Sequence, residues 1–252
     1  MIIIDNAIYV LWARQLKRFV RSPPRIIGTL ATPFLFLLAL GFGFGPVFAK
    51  AGEGNYLQFL VPGIIAMSIL FSSIVSGIEI IWDKQFGFLK ETLVAPVSRL
   101  NIMIGRTLGG ATVSFCQGLL VLLISFLLGF KFVSWSMLPV ALVFMLLIAL
   151  AFTALGTAIA SVLADMQGFQ LIMNLLIMPI FFLSGAIFPL QGVPKAITII
   201  AMINPMTYGV DGIRSSLTNI AGMSIITSLI VMLSFTTVFV VIGSLLFRKI
   251  QI

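Results

Sequence analysis

The sequence predicts an all-α membrane protein with six transmembrane helices, and three observations carry that prediction. Six stretches hold no Asp, Glu, Lys or Arg: residues 26–49, 54–78, 107–130, 132–164, 166–194 and 215–247, which are 24, 25, 24, 33, 29 and 33 residues long. A hydrocarbon core about 30 Å thick takes roughly 20 apolar helical residues, so each stretch is long enough to cross. Second, the 252 residues are 60% hydrophobic and only 9% charged, where a soluble domain carries about 25%. Third, the cations are unevenly placed. Arg14, Lys17, Arg18, Arg21 and Arg25 precede span one, Lys84, Lys90, Arg99 and Arg106 separate spans two and three, and Arg248 and Lys249 follow span six. Those eleven fall on one side of a six-span chain; Lys50, Lys131, Lys195 and Arg214 fall on the other. Cations favour the cytoplasmic side of short loops, so both termini and residues 79–106 are expected in the cytoplasm.

The same composition excludes several function classes. There is no histidine, which removes Ser–His catalysis, a haem axial His and a His-ligated metal together. Cys116 is the only cysteine, so no internal disulfide forms. The first apolar stretch starts only after 25 residues and is too long for the apolar core of a cleavable signal peptide. The net charge of +8 follows membrane topology and forms no continuous basic face, which argues against nucleic acid. No Asp, Glu, Lys or Arg sits centrally in a span, unlike ion-coupled carriers. Nor do carboxylates cluster in a span to act as a general base or hold a metal; no metal site is expected. A purely structural scaffold would leave the charged loop between spans two and three without a purpose.

In chain order, residues 4–22 read as an amphipathic interface helix. Ile8, Tyr9, Leu11, Trp12, Leu16 and Phe19 share one face at helical spacing, and Arg14, Lys17, Arg18 and Arg21 share the other. Such a helix lies in the headgroup plane, its cations toward anionic lipid. Ser22-Pro23-Pro24 ends it. Span one closes on Gly41, Gly43, Gly45 and Pro46, which should fray its end. Span two runs to about Ile80. The loop that follows holds Glu79, Asp83, Lys84, Lys90, Glu91, Arg99 and Arg106, seven of the chain's 22 charges. Phe86, Leu89, Leu93 and Val97 interleave with them, so a helix over 83–98 is expected; the residues alone leave open whether it docks a partner or is merely solvated. Span three, from about Met103, carries Gly105, Gly109, Gly110 and Gly118, and span four Ala154, Ala158 and Ser161; small residues permit close helix contact. A short turn near Asp165 leads to span five. Pro179, Gly185, Pro189, Gly192, Pro194 and Pro205 break the segment from 170 to 221. Ile197–Ile203 is apolar but too short to cross, so it reads as a re-entrant or interfacial helix within a broken segment over 186–221. Asp211 and Arg214 sit at i, i+3 before span six, the spacing of a helical ion pair.

Gly87-Phe88-Leu89, Leu93, Pro96 and Gly105-Arg106 resemble the cytoplasmic loop of ABC-2 type transporter permeases, with Phe88 where the family usually has Thr. Asp165, Asn174, Pro179, Phe182-Leu183-Ser184-Gly185 and Phe188-Pro189 resemble the family's fifth-span signature, and Asn204-Pro205, Tyr208, Asp211 and Arg214 its following segment. The match covers essentially the whole chain, as a single domain over 1–252, and is most similar to the short drug-resistance and nodulation-type exporters. The resemblance implies the interface helix (Trp12, Arg14, Lys17, Arg18, Arg21) and a coupling helix between spans two and three. It also implies a re-entrant hairpin between spans five and six. On it, ATPase docking falls to Asp83, Lys84, Phe86, Gly87, Leu89, Lys90, Glu91, Leu93, Pro96 and Arg99, and the later family motif to Ser184, Gly185, Pro189, Asn204, Pro205, Asp211 and Arg214. It further implies a homodimer with two ATP-binding subunits, multi-pass in a prokaryotic plasma membrane, exporting a drug, a lipid or a glycolipid; a lipid-linked polysaccharide is the alternative. The pathway would lie between two copies, lined partly by spans one, two and five. The chain has no G-x-x-x-x-G-K-[ST] phosphate loop, so ATP and Mg are expected on the partner and no cofactor on this chain.

Overall fold

The computed structural model describes residues 2–50, 55–94, 96–163, 165–220 and 222–248. Among them the chain forms ten α-helices: α1 Ile2–Val20, α2 Pro23–Lys50, α3 Tyr56–Gln85, α4 Phe88–Val94, α5 Arg99–Leu127, α6 Leu138–Val162, α7 Met166–Phe182, α8 Lys195–Ile203, α9 Pro205–Thr218 and α10 Ile225–Arg248. A 3-10 turn, Trp135–Met137, leads into α6. It is an all-α, multi-pass membrane protein: α2, α3, α5, α6 and α10 are long and apolar enough to cross a bilayer.

The centre is α3, buried on almost every side from Phe59 to Leu70. Its neighbours approach closely because small residues face each other. A Cβ on Gly77 would lie 2.7 Å from the carbonyl oxygen of Gly156 in α6; a Cβ on Gly118 of α5 would strike Ile69, and one on Gly212 of α9 the ring of Phe144. Close backbone approach supplies the dispersion contacts that hold helices together in lipid, where burial from water offers no drive.

Four details of the fold go beyond the sequence reading. First, α2 does not fray: it runs through Pro33 and Pro46 to Lys50, its end braced by Phe44 and Phe48 against Tyr56. Second, the charge-free stretch 166–194 is not one helix, in keeping with the prolines and glycines that break it. α7 has 17 residues, about 25 Å at 1.5 Å each, and a turn follows it. There Ile187 accepts a hydrogen bond from the Tyr56 hydroxyl at 2.9 Å and Ala186 lies against Gly63. Beyond it α8 and α9 meet at 86°. Third, α1 is packed against the bundle. Its apolar side is seated on α5, with Ile8 and Leu11 over Gly105, Gln15 over Gly109, and Trp12 Nε1 donating to Thr112 at 3.0 Å. Fourth, the helix expected over 83–98 is only α4. α3 continues to Gln85, and Gly87, at φ +79°, makes the left-handed turn that ends it.

Candidate functional site

Charge gathers at one end of the bundle. Glu79 and Asp83 are four apart, so they share a face of α3, and both are buried. Glu79 receives Arg25 at 2.7 Å and Arg18 at 3.7 Å. Asp83 receives the buried Arg106 of α5 in a short hydrogen bond and Arg14 at 3.6 Å. Two carboxylates thereby tie α1, α2 and α5 to α3. Buried charges persist only when paired this way. Lys84 is also spent inside the chain: its Nζ donates to the carbonyls of Ala160, Ser161 and Leu163 at 2.8, 2.8 and 3.1 Å, closing the C-terminus of α6, where carbonyls lack helical partners.

The residues expected to dock a partner therefore divide. Asp83 and Lys84 belong to the internal clamp, and Leu89 is buried with Ile102, Met103, Ala154 and Phe247. Arg99 donates to the Arg248 carbonyl at 2.8 Å. What faces outward is Phe86, Phe88, Glu91, Val94 and Pro96, with Phe86 73% and Val94 80% exposed. The side chains of Lys90 and Leu93 lie outside the described ones, though both residues fall within α4. α4 is thus a short apolar protrusion on a base fixed by ion pairs. Sequence reading missed Glu79, Arg25 and Arg106 as a unit. The signal was there in the matching four-residue steps of Glu79–Asp83 and Arg14–Arg18.

The opposite end is tied by the later motif. Arg214 is buried and donates to the carbonyls of Phe59 at 3.2 Å, Gly185 at 2.9 Å and Ala186 at 3.2 Å, its guanidinium 3.8 Å from the Phe59 ring centroid. Asp211 does not pair with it. Instead Asp211 accepts from the Gly222 and Met223 amides at 2.8 and 3.1 Å, fixing the entry to α10. Asn204 donates to Ile180 O at 2.6 Å and caps Met206 N at 3.0 Å, while Pro205 takes the first position of α9, where no amide is needed. Ser184 bonds back to Phe181. Pro189 lines a cavity of about 240 Å³ with Thr207, Asp211 and Arg214.

A second cavity, of about 380 Å³, opens between α2, α3, α5 and α7. Its wall is apolar except for Thr29, Thr32, Ser68, Ser72 and Gln117; Ser68 Oγ is buried with no hydrogen-bond partner among the described residues. Among these residues no group of three or more His, Cys, Asp or Glu is placed to hold a metal.

The family model of ABC-2 type transporters matches residues 6–218. The chain belongs to that family. This ABC-2 type permease is 31% identical to the ycf38 transport permease of Cyanophora paradoxa, over 96% of this chain and 88% of that protein. It is 28% identical to nodulation protein J of Rhizobium leguminosarum bv. viciae, over 76% and 74%. With the inner membrane transport permease YadH of Escherichia coli it shares 26% identity over 94% and 92%. The match to the family spans α1 through α9, so the charged clamp, α4 and the Asn204–Arg214 knot all lie inside the ABC-2 permease region. Membership of the family implies association with ATP-binding subunits.

Proposed function

We propose that this permease is the membrane subunit of an ATP-driven exporter, itself catalysing no reaction. It carries an amphipathic, hydrophobic or lipid-linked molecule out of the cytoplasm or inner leaflet of a prokaryotic plasma membrane. The observation that carries the reading is α4: apolar side chains held in the open on a base that ion pairs make rigid. An exposed apolar patch of that kind marks a contact surface, and its direct link to α3 and α5 transmits a push into the bundle. Two ATP-binding subunits, holding ATP and Mg, would engage the two α4 helices of a homodimer. The cavity between α2, α3, α5 and α7 includes spans one, two and five, the elements expected along the pathway. Its apolar wall with a few hydroxyls suits a greasy molecule with a polar group.

The test is transport by the permease assembled with its ATP-binding subunit. A Glu91→Ala, Leu93→Asp variant, present in the membrane at normal level, is expected to lose transport and to release or uncouple the ATPase. Unchanged transport by that variant would remove the proposal.

A further inference from the structure

We propose that the cleft between α1 and the charged end of α3 is a binding site for the phosphate headgroup of an anionic lipid. The open cleft measures about 880 Å³ and is lined on one side by Arg14, Lys17, Arg18 and Arg21 of α1 and on the other by Trp82, Asp83, Phe86 and Phe88. Its cations are in surplus. The two carboxylates within reach are already held by closer arginines that lie outside the cleft, Glu79 by Arg25 and Asp83 by Arg106. Arg14 and Arg18 meet them only at 3.6 and 3.7 Å and keep 44% and 42% of their side-chain surface exposed. Among the described residues Lys17 and Arg21 meet no carboxylate, and both are exposed.

Two further facts favour a lipid over another anion. α1 has its apolar side seated on α5, so these four cations are not needed to anchor the helix to the bilayer. And the cleft sits where the charge-free stretches begin, beside Arg25 and just beyond Glu79, which is the depth of the headgroups. Its rim matches that depth: Tyr9 is 62% exposed, and the Arg18 guanidinium lies 6.0 Å from the Trp82 ring centroid. Trp and Tyr concentrate at the membrane interface, and basic residues there attract anionic headgroups. A phosphodiester entering the cleft meets Lys17 and Arg21 directly, with Arg14 and Arg18 free to turn from their long ion pairs toward it.

The test uses the purified full chain with phosphatidylglycerol or phosphatidylcholine, the lipid retained being counted by native mass spectrometry. Phosphatidylglycerol is expected to be retained preferentially, and a Lys17→Gln, Arg21→Gln variant to weaken its retention by about tenfold or more. That variant spares every ion pair of the clamp, so folding is preserved. Arg248→Gln, an exposed cation outside the cleft, is expected to change nothing. Equal retention of the two lipids, unchanged retention in the double variant, or an equal loss with Arg248→Gln would overturn the proposal. So would displacement of phosphatidylglycerol by inorganic phosphate, which assigns the cleft to a free anion. Displacement by the ATP-binding subunit, with weaker co-purification of the double variant, would assign it to an acidic protein surface and equally end the lipid reading.

Discussion

Arg106 is the residue on which the charged end depends most. It is 4% exposed, and among the described residues its only acidic hydrogen-bond partner is Asp83. Replacing it with methionine leaves a buried carboxylate that only Arg14 reaches, at 3.6 Å. Removing one member of a buried pair costs about 3–5 kcal/mol, so Arg106→Met is expected to lower the thermal midpoint of the detergent-solubilised protein sharply. Asp83→Asn in the same chain removes the stranded charge and should recover much of the loss, the non-additivity that defines a coupled pair. Simple addition of the two losses would show that Asp83 and Arg106 are not coupled. At this scale the sequence was legible in kind and misleading in role. The charged loop between spans two and three, read with the family resemblance, points to a partner, yet Asp83 and Lys84 face inward. Nothing in the local sequence shows that the carbonyls of Ala160 and Ser161 lie beside Lys84, because the two segments meet only through the crossing of α3 and α6.

The separation of surface from support gives α4 its prediction. Phe86 and Phe88 are 73% and 51% exposed, so a Phe86→Ser, Phe88→Ser variant should stay within about 0.5 kcal/mol of the parent in stability, as surface changes do. If α4 is the docking element, the same variant should bind the ATP-binding subunit about tenfold more weakly or worse, since apolar anchors at an interface cost more than about 1 kcal/mol each. Co-purification and thermal melting of the one variant separate the two effects; unchanged association would move docking elsewhere. Among the elements, regular helices were readable from charge-free length. The ends were not. α2 persists past Gly41, Gly43, Gly45 and Pro46 because Phe44, Phe48 and Tyr56 pack its last turns. α7 stops early because the Ser184–Gly185 turn is captured by Arg214, a contact between residues 29 apart.

For the whole molecule, the two charged clusters lie at opposite ends, Arg25, Glu79, Asp83 and Arg106 at one and Arg214 at the other, as alternating crossings require. If the first end is cytoplasmic, cysteines placed at both termini and at position 90 in a Cys116→Ser background will react only from the inside, and those at 50 and 131 from the outside. Labelling of position 90 from outside intact cells would reverse the topology. The glycines of span three are consumed within the chain: Gly105 and Gly109 by α1, Gly110 by Ser76 and Thr153, and Gly118 by Ile69. On α2, by contrast, a Cβ on Gly28, Gly43 or Gly45 would meet nothing, and Leu35, Phe42 and Val47 are exposed. A homodimer is therefore expected to close over α2 and the open side of α7. Native mass spectrometry of the complex with its ATP-binding subunit should give two copies of this chain; a working assembly with one would overturn it.

The sequence by itself determined that the chain crosses a membrane several times and that it can do neither histidine nor phosphate-loop chemistry. It also determined which loops carry positive charge. Those properties follow from composition and from the uninterrupted length of apolar runs, and no neighbour can change them. Tertiary structure decided which polar residues look outward. Glu79, Asp83, Lys84 and Arg106 stand in one charged stretch with Glu91, but the first four are turned inward and Glu91 is exposed. It also decided that α1 packs on α5, and that Arg214 grips three carbonyls instead of Asp211. In a membrane bundle a polar side chain without a partner is costly, so Asp83, Lys84, Arg106 and Arg214 take the groups that packing presents. Those groups lie elsewhere in the chain, at sequence distances that no local pattern encodes.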